Sequence, residues 1–301
     1  MVGPARKREA VRHLRQRLEM TERRACKVVG QARSTQRYTP QADPEEGRLR
    51  AELREVSLRR PRAGYRMAAR CLRRSGWKVN DKRVQRLWRE EGLRVPRRQS
   101  KRRRMGCTAQ GSQRLRAEYV NHVWSYDFVQ DRTRDGRRLK MLCVVDEYTR
   151  ECLAIQVARR MTAMDVILVI GRLIAERGMP RHLRSDNGPE FIARALRDWL
   201  SQGGIRTLYI TPGSPWENAY CESFNSRFRD EFLNREEFVS ELEAKVLSAE
   251  WRRDYNEARP HSALGDQTPA EFAQRCRATV GAAPLPPHDS ANNPEPIQTL
   301  S

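Results

Sequence analysis

The stretch VWSYDFVQDRTRDGRRLKMLCVVDEY, residues 123–148, decides the fold class. Its two halves are apolar, and the Asp135-Gly136 pair between them is typical of a hairpin turn. The stretch therefore predicts two strands, at 123–133 and 139–148. Asp127 lies midway along the first strand, between aromatic and apolar neighbours, where a carboxylate is costly unless something pairs with it.

Strands and helices alternate after this hairpin. We predict further strands at 151–157, 183–186 and 205–210, and helices at 162–178, 191–200 and 216–233. An antiparallel hairpin sheet that is extended through right-handed crossovers, with helices on both faces, is an α/β fold.

The motif RSDNGPEF, residues 184–191, joins the fourth predicted strand to the helix after it. Asn187 and Gly188 favour a turn, and a turn is the alternative interpretation of this motif when it is taken alone. Asp186, however, ends a strand, and in open sheets the ligands gather at strand ends.

The predicted helix at 216–233 has two distinct faces. At about 100° per residue, one face carries an acid, two amides and a cation: Glu222, Asn218, Asn225 and Arg229. A neighbouring apolar stripe consists of Cys221, Phe224, Phe228 and Phe232. If the stripe packs, Glu222 is carried over the sheet end. Asp127, Asp186 and Glu222 would then offer oxygen ligands from three elements, the kind that hard divalent cations prefer.

The positive charge of the chain is concentrated in its first third. Residues 1–104 hold 33 Lys and Arg against 11 Asp and Glu, a surplus of 22, whereas the remaining 197 residues hold 26 against 27. A region this basic attracts a polyanion and far exceeds what solubility needs. We therefore expect residues 1–104 to bind nucleic acid.

Two helix–glycine–helix patterns in this basic region resemble helix-turn-helix units. In the second pattern, Asn80 is expected to cap a helix whose residues Val84, Leu87 and Trp88 face inward. The cations left on the outer side, predicted to contact DNA, are Lys82, Arg83, Arg86 and Arg89. A basic helical hairpin that packs on the next domain is the alternative.

The chain is predicted to have four segments. These are a helical DNA-binding region at 1–94, a basic linker at 95–118, a catalytic core with a helical C-terminal extension at 119–280, and a disordered tail at 281–301. No apolar run approaches the ~18 residues of a membrane span. The seven cysteines lack zinc-ligand spacing, which favours reduced thiols in the cytoplasm.

Several polar residues outside this acid set are expected to be structural. Asp131 and Asp146 lie at hairpin ends, where capping a turn is the favoured role. His182 and His261 are expected to pack rather than to catalyse.

Three motifs together resemble a known family. WSYDFV (124–129), RSDNGPEF (184–191) and SPWENAYCESFNSRFRDEF (214–232) look like the DDE signature of retroviral-integrase-like transposases, including the 35 residues between the last two acids. The segment YNEARPHSALGDQTPAEF, residues 255–272, resembles the C-terminal motif of bacterial insertion-sequence transposases of the IS-three family. The resemblance extends over residues 5–275.

This resemblance implies an RNase H-like catalytic core that cleaves DNA strands and transfers them. It implies that Asp127, Asp186 and Glu222 hold two Mg²⁺ ions, which Mn²⁺ can replace, and that Arg229 contacts DNA phosphate. The residues that support this site would be Asn187, Gly188, Asn218 and Asn225. The implied partners are double-stranded DNA at element ends and target, further copies of this chain, and the product of an upstream reading frame, joined by a frameshift.

Two other functions share part of this pattern. A catalytically silent DNA-binding protein descended from a transposase would keep the fold, but a pure binder needs no three converging carboxylates. A ribonuclease acting on RNA–DNA hybrids would share the metal chemistry. The basic helical region and the C-terminal motif disfavour the ribonuclease.

Overall fold

A computed structural model describes residues 3–38, 44–93, 115–185, 194–209 and 218–280 of the chain. The chain divides into two compact units, Met1–Glu52 and Leu53–Ser301. The predicted tail, residues 95–114 of the predicted linker, and the site residues Asp186, Asn187 and Gly188 lie outside the described residues. The four predicted segment boundaries stay a prediction.

The first unit is helical. Its helices are α1 (Pro4–Arg17), α2 (Glu22–Val29) and α3 (Arg33–Arg37), and α4 (Glu46–Arg59) follows them. Val11, Ala25 and Cys26 form a small buried core. α2 ends at Gly30, whose φ of 64° is left-handed, a conformation that glycine adopts without a steric penalty.

The second unit includes the predicted helix pair α5 (Tyr65–Arg74) and α6 (Asp81–Glu90). The Asn80 side chain accepts a hydrogen bond of 2.6 Å from the backbone N–H of Lys82, as expected of an N-cap. Val84, Leu87 and Trp88 are buried. The predicted cap and inner face of α6 are therefore confirmed.

A five-stranded mixed sheet forms the centre of the second unit. Its strands are β1 (Val123–Arg132), β2 (Arg138–Asp146), β3 (Cys152–Ala158), β4 (His182–Ser185) and β5 (Arg206–Tyr209). They lie in the order β3-β2-β1-β4-β5. β2 is antiparallel to β1 and β3, whereas β4 is parallel to β1 and β5. This is the predicted hairpin sheet extended by crossovers.

Helices pack on both faces of the sheet because its side chains alternate. Trp124 and Tyr126 of β1 lie in a core with α7 (Ala163–Arg177) and α8 (Arg194–Gln202). Val129 faces the other side, where an aromatic core includes residues of α9 (Ala219–Phe228) and α10 (Glu241–Glu257). A short 3₁₀ turn and α11 (Pro269–Val280) end the described chain. None of the described helices is long and apolar enough to cross a membrane.

The single helix predicted for 216–233 is wrong in its last turn. The α-helix ends at Phe228, and a π-helical turn, Arg229–Leu233, continues it. Three successive side chains of this turn are held by separate segments. Arg229 donates to the Gln130 carbonyl at 2.8 Å, while the partners of Asp230 and Glu231 are Arg62 and Arg259. These tertiary contacts accompany the wider π-helical turn, and the spacing of apolar residues in the sequence does not indicate them.

Candidate active site

Asp127 lies on β1, directly opposite Cys143 of β2, and both oxygens of its carboxylate accept a hydrogen bond. Asn225 Nδ2 of α9 donates to Oδ2 at 2.8 Å, and the backbone N–H of Phe128 donates to Oδ1 at 2.7 Å. The side chain is half-buried. Because both oxygens accept a hydrogen bond, the orientation of the carboxylate is set before any ligand binds.

Two buried thiols lie close to this carboxylate. Burial raises the pKa of Cys143 and of Cys221 well above the usual range, and the nearby Asp127 charge acts in the same direction. Both thiols are therefore neutral and apolar in character, and they are not thiolate ligands. The negative charge of this site comes from carboxylates.

Helix α9 presents the two faces that its sequence predicts. Cys221, Phe224 and Phe228 are buried. Asn225 and, in the following turn, Arg229 reach β1 instead. The predicted division of the helix into a packing face and a polar face is confirmed.

Glu222 is exposed and lies three residues before Asn225 on the polar face of α9. Three residues span about 4.5 Å along a helix axis. Glu222 is thus within one helical turn of the residue that contacts Asp127. That Asp127 and Glu222 form one metal site stays a prediction.

Strand β4, which precedes Asp186, lies beside the strand that carries Asp127. β4 runs parallel to β1, and its register pairs Arg184 with Ser125. Ser185, the last residue of β4, therefore lies one residue short of the level of Asp127 along the sheet. Asp186 itself lies outside the described residues.

The polar face of α9 suits a hard cation. The side-chain oxygens Asn218 Oδ1 and Asn225 Oδ1 are buried and accept no hydrogen bond within the described part of the chain. Oxygen atoms of this kind, beside a carboxylate, match the preference of hard divalent cations. No group of three His, Cys, Asp or Glu side chains suited to a metal occurs among the described residues, which omit Asp186. A divalent metal is implied by the fold family described below.

A buried ion pair beside the site was missed by sequence reasoning. Arg184 Nη1 donates to both carboxylate oxygens of Glu147, at 2.5 and 2.6 Å, and Nη2 donates to the Leu115 carbonyl. The two side chains are 4% and 0% exposed, so neither charge is solvated by water. The pair ties the end of β4 to the turn after β2. An arginine within a short predicted strand was the available signal.

The C-terminal motif contributes a second set of contacts that sequence reasoning missed. Asn256 exchanges two hydrogen bonds of 2.9 Å with the backbone of Cys152. Arg259 donates to both oxygens of Glu231, at 2.8 and 2.6 Å. These contacts tie the end of α10 to β3 and to the π-helical turn after α9. The motif thus supports the helix that carries Glu222.

Asp146, His182 and His261 are structural, as predicted, whereas Asp131 lies within β1 rather than at a turn. Asp146 is buried and accepts the backbone N–H groups of Asn121, Tyr148 and Thr149. Asp131 accepts the N–H of the residue after it. Burial, followed by neighbouring cationic groups, lowers the pKa of His182 to about 4 and that of His261 to about 3, so both imidazoles are neutral.

The cations predicted to contact DNA lie on the outer side of α6. Lys82, Arg86 and Arg89 are exposed and Arg83 is half-buried. Arg86 forms an ion pair of 3.1 Å with Glu90. Arg229, which hydrogen-bonds to Gln130, is also exposed. Contact of these five side chains with DNA stays a prediction.

The sequence matches three known family profiles. Two are described as integrase core domain and cover residues 117–215 and 203–269. The third is described as HTH-like domain and covers residues 44–101.

Two insertion-element proteins match nearly the whole chain. The insertion element IS407 uncharacterized 31.7 kDa protein of Burkholderia multivorans is 43% identical over 269 residues, 89% of this chain and 96% of that protein. The insertion element IS476 uncharacterized 39.2 kDa protein of Xanthomonas euvesicatoria is 41% identical over 92% of this chain and 79% of that protein. The putative transposase InsK for insertion sequence element IS150 of Escherichia coli is 28% identical over 71% of this chain and 78% of that protein.

Solved viral structures are similar to this chain at low sequence identity. The catalytic core domain of HTLV-2 integrase, in complex with magnesium, is 15% identical, with a TM-score of 0.43, over 52% of this chain and 99% of that one. A chain of the simian T-cell lymphotropic virus intasome is 16% identical, with a TM-score of 0.46, over 81% of this chain and 80% of that one. From the family profiles and the two insertion-element relatives, the chain belongs to the insertion-element transposases, with an HTH-like domain followed by an RNase H-like integrase core.

Proposed function

We propose that this transposase cleaves DNA at the ends of its element and joins the freed ends to target DNA, with Asp127, Asp186 and Glu222 as ligands of two Mg²⁺ ions. The observation that carries the proposal is the hydrogen bond from Asn225 to Asp127, because it sets the acid-bearing face of α9 against the strand that holds the first acid. Mn²⁺ would substitute for Mg²⁺ at a site of this ligand type.

The chemistry assigned to the three acids follows from the reaction. Phosphodiester exchange is an in-line displacement, and two bound divalent ions stabilise its attacking and leaving oxygens. Asp127, oriented by Asn225 and by the Phe128 N–H, is the preorganised ligand of the set. Exposed Glu222 approaches from the helix side, and Asp186 follows the strand beside Asp127. The supporting roles of Asn187, Gly188 and Asn218 belong to this proposal.

The partners proposed for this activity follow from the substrate. Lys82, Arg83, Arg86, Arg89 and Arg229 would contact double-stranded DNA. Two element ends must be brought together, so we infer that several copies act on one DNA, and that the upstream reading-frame product is joined to this chain by a frameshift. Such a protein works where bacterial DNA is, in the cytoplasm.

The test is strand cleavage by the purified full chain. The substrate is labelled duplex DNA taken from both flanks of the gene, with Mg²⁺ present. The wild type should nick this DNA, EDTA should abolish nicking, and Asp127→Asn or Glu222→Gln should lower it at least ~100-fold, because each removes a charged metal ligand. Mobility-shift binding of the same DNA should survive in both variants. If a variant still nicks DNA at the wild-type rate, the acid that was changed in it is not part of the proposed metal site.

The same assay separates the two other functions. A silent DNA-binding protein would bind the duplex without nicking it at any Mg²⁺ or Mn²⁺ concentration. A ribonuclease would degrade the RNA strand of a matched RNA–DNA hybrid and leave the DNA duplex intact. The proposal requires nicking of the DNA duplex.

A further inference from the structure

A row of exposed arginines lies at the end of the sheet, around the hairpin between β1 and β2. Arg132 ends β1, Arg138 begins β2, and the register places these two side by side as a cross-strand pair. Arg160 lies two residues beyond Ala158, which pairs with Lys140 of β2. All three arginines are exposed, and none has a carboxylate partner among the described residues.

This arrangement is unfavourable for the isolated chain. Like charges directly opposite each other on neighbouring strands destabilise a sheet. The acids of the hairpin do not compensate, because they bind the backbone: Asp131 accepts the N–H of Arg132, and Asp135 accepts from Thr133 and from the N–H of Arg137. Departures from the usual rules of sheet pairing are expected at functional sites, so the like-charge pair Arg132–Arg138 indicates a function.

The hairpin that carries the row is held rigidly. Thr133 forms an isolated bridge with Phe238, and the N–H of Arg134 donates to the Phe238 carbonyl at 2.8 Å. Arg159 donates to Thr133 Oγ1 and to the carbonyls of Arg137 and Arg138. The backbone of the hairpin is therefore preorganised, and the exposed side chains of Arg132 and Arg138 extend from it.

The position of the row relates it to the candidate active site. Arg132 lies five residues after Asp127 on β1. That is about 17 Å along a strand, or about five phosphates of a DNA strand at 3.4 Å each. The row is on the opposite face from Asp127, the face of Trp124 and Tyr126. Contact with the row therefore requires a duplex that extends past the hairpin end of the sheet, beyond the candidate active site.

We propose that Arg132, Arg138 and Arg160 form a second DNA-contacting surface, on the catalytic core, that binds phosphates of the duplex flanking the active site. Guanidinium groups suit phosphate, and the row presents three that have no carboxylate partner in the described part of the chain. The inference deepens the proposed function by naming a contact of the core itself. The proposed contact does not depend on the metal chemistry. A protein that binds DNA through these arginines without cleaving it would still support the proposed contact.

The test is the salt dependence of DNA binding by the full chain. Affinity for a labelled random-sequence duplex is measured between 50 and 200 mM salt for the wild type and for the triple variant Arg132→Gln/Arg138→Gln/Arg160→Gln. Each lost phosphate contact lowers the slope of log affinity against log salt by about 0.9, so the triple variant should lose about 2–3. The matched triple variant with Lys at the same three positions should keep most of the wild-type slope, because it keeps the positive charge.

The control is a triple variant with the same loss of charge elsewhere on the core. Arg172, Arg194 and Arg197 are exposed on α7 and α8, and their change to Gln should leave the slope near the wild-type value. An equal loss of slope in the control triple and in the Arg132/Arg138/Arg160 Gln triple would overturn the proposal. So would a Lys triple whose slope is as low as that of the Gln triple at the same positions. Unchanged DNA binding with reduced self-association in sedimentation velocity would show an acidic protein surface as the partner, and would also overturn it.

Discussion

At the scale of single residues, the carboxylate of Asp127 depends on Asn225. Asp127 lies beside neutral, buried thiols, and its carboxylate accepts a hydrogen bond from the Asn225 amide. The loss of a partner that orients a metal-binding carboxylate typically costs 10–100-fold in metal affinity or activity.

We therefore predict that Asn225→Ala lowers Mg²⁺-dependent nicking about 10–100-fold. The Mg²⁺ concentration for half-maximal nicking should rise, because the carboxylate is no longer oriented before the ion binds. Ser226→Ala, at the exposed neighbouring position, is the matched control and should be near wild type. A lower rate with no change in the Mg²⁺ requirement would argue against an orienting role for Asn225.

At the scale of elements, the apolar stripe of helix α9 determines the direction in which Glu222 points. Its apolar stripe packs in the aromatic core, where Phe224 lies 5.1 Å from Tyr255 and 5.7 Å from Trp251 between ring centroids. The stripe fixes the rotation of the helix, and the direction of Glu222 follows from it. The next residue, Ser223, points about 100° away, and its Oγ accepts from Arg227 Nη1 at 2.8 Å.

Moving the acid by one position tests this direction. We predict that Glu222→Ala with Ser223→Glu loses nicking as completely as Glu222→Ala alone, at unchanged net charge. The shifted carboxylate would point toward Arg227, and metal sites tolerate displacements of only about 0.2 Å. The measurement is Mg²⁺-dependent nicking, with circular dichroism as the folding control. Substantial nicking by the shifted variant would show that Glu222 is not the third acid.

At the scale of the whole molecule, charge and chemistry are separated along the chain. The surplus of 22 positive charges lies in residues 1–104, and the acids of the candidate site lie in the nearly neutral remainder. Binding through phosphates releases counterions, so it weakens steeply with salt, whereas metal chemistry on bound DNA does not depend on salt in this way.

The prediction is a steep, linear fall of log affinity with log salt for duplex DNA. If six to ten phosphates are contacted, affinity should fall about 10³–10⁵-fold between 50 and 200 mM salt. Lys82→Gln with Arg89→Gln should reduce the slope by about 2 if both exposed cations of α6 meet phosphate. Fluorescence anisotropy with a random-sequence duplex measures both slopes. A salt-independent affinity would contradict DNA binding through the basic region.

Local chemistry explains how much could be predicted from the sequence. The hairpin turn, the Asn80 cap, the order of strands and helices, and the two faces of α9 depend on neighbours within a few residues, or on periodicities that local sterics impose. Asp127 and Glu222 could be predicted as site residues because a carboxylate in an apolar strand and an acid on a polar helix face are visible locally.

The tertiary structure alone decided the rest. The partner of Asp127 is 98 residues away, the partner of Arg184 is 37 away, and Asn256 bonds to a backbone 104 residues before it. Such pairs leave no periodicity in the sequence, because the groups meet only after the sheet and helices have packed. The same is true of the π-helical turn after Phe228 and of the Arg132–Arg138 pair. Side-chain periodicity specifies which face of an element is buried, and packing specifies which atoms of distant elements meet.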